Sequence, residues 1–163
     1  MSQPLLASEA TAVLAACRRA GLKLTTAESC TGGLIAATLT EIAGSSDVVE
    51  RGFVTYSDAA KSDMLGVPAD LIQRMGAVSQ EVAGAMAAGA LARSRSDIAI
   101  AVTGIAGPAG ATPTKPVGLV HLACTRRGRL TLHERHVFPG DRAAVRVATV
   151  ARAFGLILRQ ATD

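Results

Sequence analysis

Residues 97–103, DIAIAVT, form an unbroken apolar run that ends in the glycine-rich stretch Gly104-Ile105-Ala106-Gly107-Pro108-Ala109-Gly110. A strand without polar alternation is buried on both faces, and such strands sit in sheets covered by helices on either side. The rest of the chain supplies those helices. Residues 8–20 carry Ala12, Val13, Ala16 and Cys17 at helical spacing, with Ser8 as the expected N-cap and Gly21 as the stop. A strand is expected at 22–27 and a helix at 34–42. A short strand follows at 52–57, then a helix at 58–65 that Gly66 and Pro68 end, and a short helix at 68–75. Ser79 opens an Ala-rich helix over 80–93. Strands 117–125 and 130–138 flank Arg126-Arg127-Gly128-Arg129, a hairpin signature, and a helix over 142–159 closes the chain. Helices alternate with strands before the hairpin arrives. That order predicts one domain over 1–163, an α/β fold of three α/β/α layers with a mixed, mostly parallel sheet.

Aromatic residues are only 2% of the chain although hydrophobic residues are 49%, so the core must be Ala, Val, Leu and Ile. No apolar run approaches the roughly 20 residues of a membrane span. The N-terminal MSQPLLASEA has no basic region before an apolar one, so a cytoplasmic protein is expected rather than a secreted one. Cys17, Cys30 and Cys124 are odd in number and contain no CxxC pair, which argues against a disulfide framework and a zinc site. The net charge of +4 comes from scattered basic residues, and one Tyr with three Phe offers little for base stacking. No nucleic-acid partner is expected. A small anionic substrate suits the charge better.

Three expected strand ends collect small, hydroxyl or glycine residues: 28–33, 55–61 and 103–110. Ligands of open α/β sheets bind beyond the carboxyl ends of the strands, so Ser29, Tyr56, Lys61 and Thr103 are candidates for one pocket. Ser29, Cys30 and Thr31, followed by Gly32 and Gly33, lie where a strand passes into a helix, and free N–H groups there attract anions. Ser29 is either a nucleophile beside an oxyanion hole or an ordinary helix cap. Cys30 is a rival nucleophile or a small buried residue. Lys23, Lys61 and Lys115 are the lysines, and every other basic side chain is Arg. Arg cannot give up its proton whereas a desolvated Lys can, which makes Lys61 a candidate general base; the alternative is a solvated lysine on a helix face. Tyr56 either assists the nucleophile or packs on the sheet. The glycine loop lacks the GxGxxG and GK[ST] spacings, so it reads equally as a phosphate cradle or a surface loop. His121, His133 and His136 fall in the hairpin strands, which leaves a Ser-His-Asp triad unsupported.

Taken together, TTAESCTGGLIAATLTEIAGSS, RGFVTYSDAAKSDMLGV, GAVSQEVAGAMAAGALARSRSDIAIAVTGIAGPAG, KPVGLVHLA and FPGDRAAVR resemble the CinA C-terminal domain family, the nicotinamide-nucleotide amidohydrolases. The matches run in order along nearly the whole chain. Larger family members carry a further domain resembling molybdopterin-binding proteins, so the resemblance implies the stand-alone form. It also implies hydrolysis of the carboxamide of nicotinamide mononucleotide to nicotinate mononucleotide and ammonia, without metal or organic cofactor. Carried over by motif, Ser29 is the nucleophile, Lys61 the general base, and Tyr56 assists. Cys30, Thr31, Gly32, Gly33, Thr103, Gly104, Ala106, Gly107 and Arg142 then hold the substrate, with N–H groups around residues 30–33 stabilising the oxyanion. The family continues TGIAGP with more glycine, whereas Ala109 and Ala111 interrupt the run here, which bears on loop geometry and affinity. A non-catalytic pyridine-nucleotide binding module is the alternative function. A homodimer or higher homo-oligomer is compatible with the Ala- and Gly-rich composition.

Overall fold

The structure is a computed structural model that describes residues 5–162; the N-terminal reading at residues 1–4 lies outside the described residues. In chain order the elements are α1 (Ala7–Ala20), β1 (Leu24–Glu28), α2 (Leu34–Thr40), a 3-10 turn (Ser45–Asp47), β2 (Val49–Val54), α3 (Asp58–Leu65), α4 (Ala69–Met75), α5 (Gln80–Ala92), β3 (Ile98–Gly104), β4 (Leu119–Arg126), β5 (Leu132–Val137) and α6 (Arg142–Thr162). The five strands make one sheet in the order β2-β1-β3-β4-β5. β1 pairs in parallel with both β2 and β3, while β4 runs antiparallel to β3 and to β5. β4 is thus the one reversed strand, and the sheet is mixed but mostly parallel. No helix of the described residues is long and apolar enough to cross a membrane.

The central strand reads as its sequence requires. Ile98, Ile100 and Val102 face a core built with α1, α2 and α6, where Val13, Leu14, Ile35, Val150, Phe154 and Ile157 pack. Full burial of each such side chain stabilises the fold by about 1.5–3 kcal/mol. Ala99 and Ala101 face the other side, against Val82, Ala83, Met86 and Ala87 of α5 and Leu65 of α3. Small strand residues meet an Ala-rich helix there, so that layer sits close. Gly89 of α5 shows how close: a Cβ would lie 2.0 Å from the Leu65 carbonyl oxygen.

Two local expectations are corrected. Ser8 does not cap α1. Leu6, with φ of 57°, stands at the N-cap, while Ser8 is already helical and its hydroxyl donates to the Glu9 carboxylate at 3.0 Å. The strand expected at 52–57 is displaced to Val49–Val54, because parallel pairing with β1 fixes its register and puts Val54 opposite Glu28. Thr55, Tyr56 and Ser57 are thereby released to form the connection into α3.

Candidate active site

β1, β2 and β3 end on one edge of the sheet. The Ser29 N–H donates to Val102 O at 3.2 Å and the Thr55 N–H to Glu28 O at 2.8 Å, which extends the pairing beyond the strand ends. A cleft of about 240 Å³ opens there, lined among others by Ser29, Cys30, Tyr56, Asp58, Lys61 and Arg142. The same cleft receives Thr103, Gly104, Ala106 and Gly107 from the end of β3 and the following loop. Sequence reading at three separate segments thus converges on one place.

Lys61 occupies the second turn of α3. The Ser57 hydroxyl caps this helix by accepting from the Ala60 N–H at 3.0 Å. Helical side chains lean toward the N-terminus, so Lys61 reaches back under the cap. Only 1% of the residue is exposed, which rejects the solvated alternative. Its Nζ lies 2.9 Å from Ser29 Oγ, 2.9 Å from Thr55 O and 3.2 Å from Tyr56 O. Burial pushes its pKa below that of a free lysine, opposed chiefly by the charge of Asp58. A neutral amine has two N–H bonds and one lone pair. With the N–H bonds directed at the two carbonyls, the lone pair is left for the Ser29 hydroxyl proton.

Ser29 is not a helix cap, because the N-cap of α2 is Gly33. The end of α2 is instead served by Glu28, a fully buried residue. Its carboxylate accepts from the Thr31 hydroxyl at 2.6 Å, the Ile35 N–H at 2.8 Å and the Ala36 N–H at 3.1 Å. The Gly32 N–H is also committed, donating to Ser29 O at 3.0 Å. The first N–H groups of α2 are therefore not available to an anion. Thr31, Gly32 and Gly33 do not line the cleft. Thr31 is buried with its hydroxyl on Glu28, and its carbonyl accepts from Arg146 at 2.8 Å.

The rival nucleophile is disfavoured. The Cys30 thiol is pushed up to about 11, mainly by burial and further by the Glu28 charge, against the pull of its own backbone N–H and weaker ones from Arg146 and Lys61. Tyr56 is 58% exposed rather than packed on the sheet, and its hydroxyl accepts from Arg142 at 2.8 Å. Arg142, at the start of α6, also donates to Gly107 O at 2.8 Å and so ties the glycine loop to Tyr56 across the rim. The Thr103 hydroxyl donates to Ala77 O at 2.8 Å. Gly104 is required by space, since a Cβ would come within 2.7 Å of Val120 and 2.8 Å of Leu119 O. In the following loop Gly107 and Gly110 have positive φ, whereas Ala109 and Ala111 do not. The two alanines therefore add no backbone strain to the loop.

Glu28, Asp58 and Arg146 received no role from sequence. For Glu28 a signal existed, since a lone carboxylate at the end of an inward-facing strand must find hydrogen-bond donors. Asp58 and Arg146 sit on helices as ordinary surface charges would, and only the tertiary contacts single them out. Among the described residues, His, Cys, Asp and Glu side chains nowhere gather in a group that could hold a metal ion.

Comparison with known proteins gives consistent results. The model of the CinA C-terminal domain matches residues 6–161. A CinA-like protein of Akkermansia muciniphila is 51% identical over 155 residues, which are 95% of this chain and 37% of that protein. The chain spans about a third of the length of several such relatives. A protein of Pseudomonas putida named nicotinamide-nucleotide amidohydrolase PncC is 51% identical over 146 residues, 90% of this chain and 91% of that one. The crystal structure of competence/damage inducible protein CihA from Agrobacterium tumefaciens superposes with a TM-score of 0.94 at 49% identity, covering 98% of both chains.

Proposed function

The chain belongs to the CinA C-terminal domain family, and from that premise we propose that it hydrolyses the carboxamide of nicotinamide mononucleotide by a Ser29/Lys61 mechanism. The observation that carries the reading is the buried Lys61 Nζ at 2.9 Å from Ser29 Oγ. The similarity to the Pseudomonas putida amidohydrolase over most of both chains supports the substrate.

Neutral Lys61 takes the Ser29 proton as Oγ forms a bond to the amide carbon. The N–H group of Cys30, at the start of the turn and in the cleft lining, stabilises the oxyanion. The resulting ammonium of Lys61 protonates the amide nitrogen, the C–N bond breaks, and ammonia leaves. Water then attacks the acyl-enzyme, with Lys61 accepting its proton and returning one to Ser29 Oγ. The cationic pyridinium ring withdraws electrons from the carboxamide, which makes it more electrophilic than an ordinary amide. Arg142 at the cleft rim supplies positive charge for the phosphate, and the loop from Thr103 to Gly107 forms the facing wall.

Ammonia release from nicotinamide mononucleotide by purified protein, with Ser29→Ala beside it, tests the proposal. Release that vanishes in the variant is the expected result. No release from folded wild type would instead favour a nucleotide-binding module, and release surviving Ser29→Ala would refute the serine nucleophile.

A further inference from the structure

Glu28 directly precedes the candidate nucleophile, and its carboxylate is fully buried without a cationic partner within salt-bridge range among the described residues. Such a group is costly unless its oxygens are satisfied. Here Oε1 accepts from the Thr31 hydroxyl at 2.6 Å and the Ile35 N–H at 2.8 Å, and Oε2 from the Ala36 N–H at 3.1 Å. The donors lie on the far side of the turn that carries Ser29. The carboxylate therefore bridges the end of β1 to the first turn of α2, and the nucleophile turn is stretched between them. Arg146 holds the same turn from outside by donating to Thr31 O at 2.8 Å. On the strand side the Ser29 N–H is fixed to Val102 O at 3.2 Å.

We infer that Glu28 is a positioning residue for Ser29: acting through Thr31 and the α2 N–H groups, it fixes the turn that sets Oγ against Lys61 Nζ. The inference rests on the Ser29/Lys61 reading above. It also assigns Thr31 to the support of the nucleophile rather than to the substrate. An ordinary hydroxyl cap on α2 would satisfy the helix but would not link it to β1. A carboxylate from the strand does both, and its two oxygens accept from both backbone and side chain.

Two variants separate positioning from folding. Glu28→Gln keeps the shape but replaces one acceptor oxygen with an NH₂ that cannot accept from an N–H. Thr31→Val removes only the hydroxyl and leaves the buried carboxylate with its two backbone donors. The reactivity of Ser29 is read without any amide substrate, as the rate of phosphonylation by an alkyl fluorophosphonate located by peptide mass, alongside kcat and KM for ammonia release. A misplacement of the nucleophile lowers both the phosphonylation rate and kcat while leaving KM within about twofold. The expected falls are on the order of 100-fold for Glu28→Gln and tenfold for Thr31→Val, in protein with wild-type circular dichroism. If Glu28→Gln fails to fold, Thr31→Val decides. Phosphonylation at the wild-type rate in the folded variants overturns the inference. So does a raised KM with unchanged kcat in Thr31→Val, which would place Thr31 on the substrate. Wild-type protein that resists the probe overturns this inference together with the serine nucleophile. If wild type takes the probe but releases no ammonia, the substrate assignment alone fails, and the phosphonylation rates still decide the role of Glu28.

Discussion

Replacing Lys61 with Met tests the general base at its own position. The unbranched thioether chain follows the aliphatic path of lysine through a site that is 1% exposed, so packing is largely retained. What is lost is the amine, with its contacts to Ser29 Oγ, Thr55 O and Tyr56 O. A positioned base contributes about 10²–10⁴-fold to rate, or roughly 3–5 kcal/mol of barrier at about 1.4 kcal/mol per tenfold. Lys61→Met should therefore lower kcat for ammonia release by at least about 100-fold. Stability moves far less, because two opposing effects meet. Two carbonyls lose a donor, at about 1–3 kcal/mol for each one left unsatisfied. Against that, burial lowers the folded-state pKa of Lys61 below its unfolded value. The unfolded chain then binds the proton more tightly, and folding carries a cost that is full at low pH and relieved as pH rises from the folded pKa toward 10.5. Methionine removes that cost. The pH profile is the second readout. The reactive form of Lys61 is neutral, so wild-type kcat/KM should rise with pH along a limb whose midpoint lies below 10.5. Residual activity in the variant should lack that limb. Stopped assays of ammonia between about pH 5 and about pH 10, in buffers of constant ionic strength, measure both. Turnover within tenfold of wild type, or an acid limb that persists in Lys61→Met, would refute the reasoning.

Two further outcomes follow from the pKa shifts. With the Cys30 thiol pushed up to about 11, roughly one molecule in 3,000 carries a thiolate at pH 7.5. Cys30→Ala should keep turnover within about threefold, and wild type should resist iodoacetamide at that pH; a loss of about 100-fold in Cys30→Ala would make the thiol part of the reaction. Glu134 is held well below the usual carboxylate range, at about 2, first by its hydrogen bonds to Arg152 and then by His136. A depressed folded pKa gives stability that is full above about 4.5 and lost as pH falls toward 2. Because the side chain of Arg152 is 42% exposed, screening reduces the contribution to about 1–2 kcal/mol. Glu134→Gln should lower the melting temperature at pH 7 by several degrees and flatten its fall between pH 5 and pH 2, and an unchanged acid profile would show that the pair contributes nothing.

Much of the fold was legible because its signals are local. The apolar run ending in Thr103 announced a central strand, Ser79 marked a helix start, and Gly21 and Gly66 marked stops. The edge strand β2 was misplaced by three residues because nothing in GFVTYS separates a strand residue from a connection. Pairing with β1, a partner more than twenty residues away, made that choice. Tyr56 moved with it, from a position expected on the sheet to an exposed place on the cleft rim beneath Arg142.

At the site, residue types were fixed by the sequence and their relations by the tertiary structure. The scarcity of lysine in a chain rich in arginine singled out Lys61, and the strand-to-helix turn singled out Ser29. Neither feature could say whether the lysine was solvated or buried, because burial depends on which helices cover the sheet edge. Nor could it show that Glu28 would take the first N–H groups of α2, since that carboxylate can reach them only after strand and helix have docked. The linear pattern determined the layers, the core and the candidate groups, all of which follow from periodicity and side-chain chemistry. Proximity decided the rest: parallel pairing of β1 with its neighbours brought residues 32 positions apart to 2.9 Å, in surroundings dry enough to alter what a lysine can do.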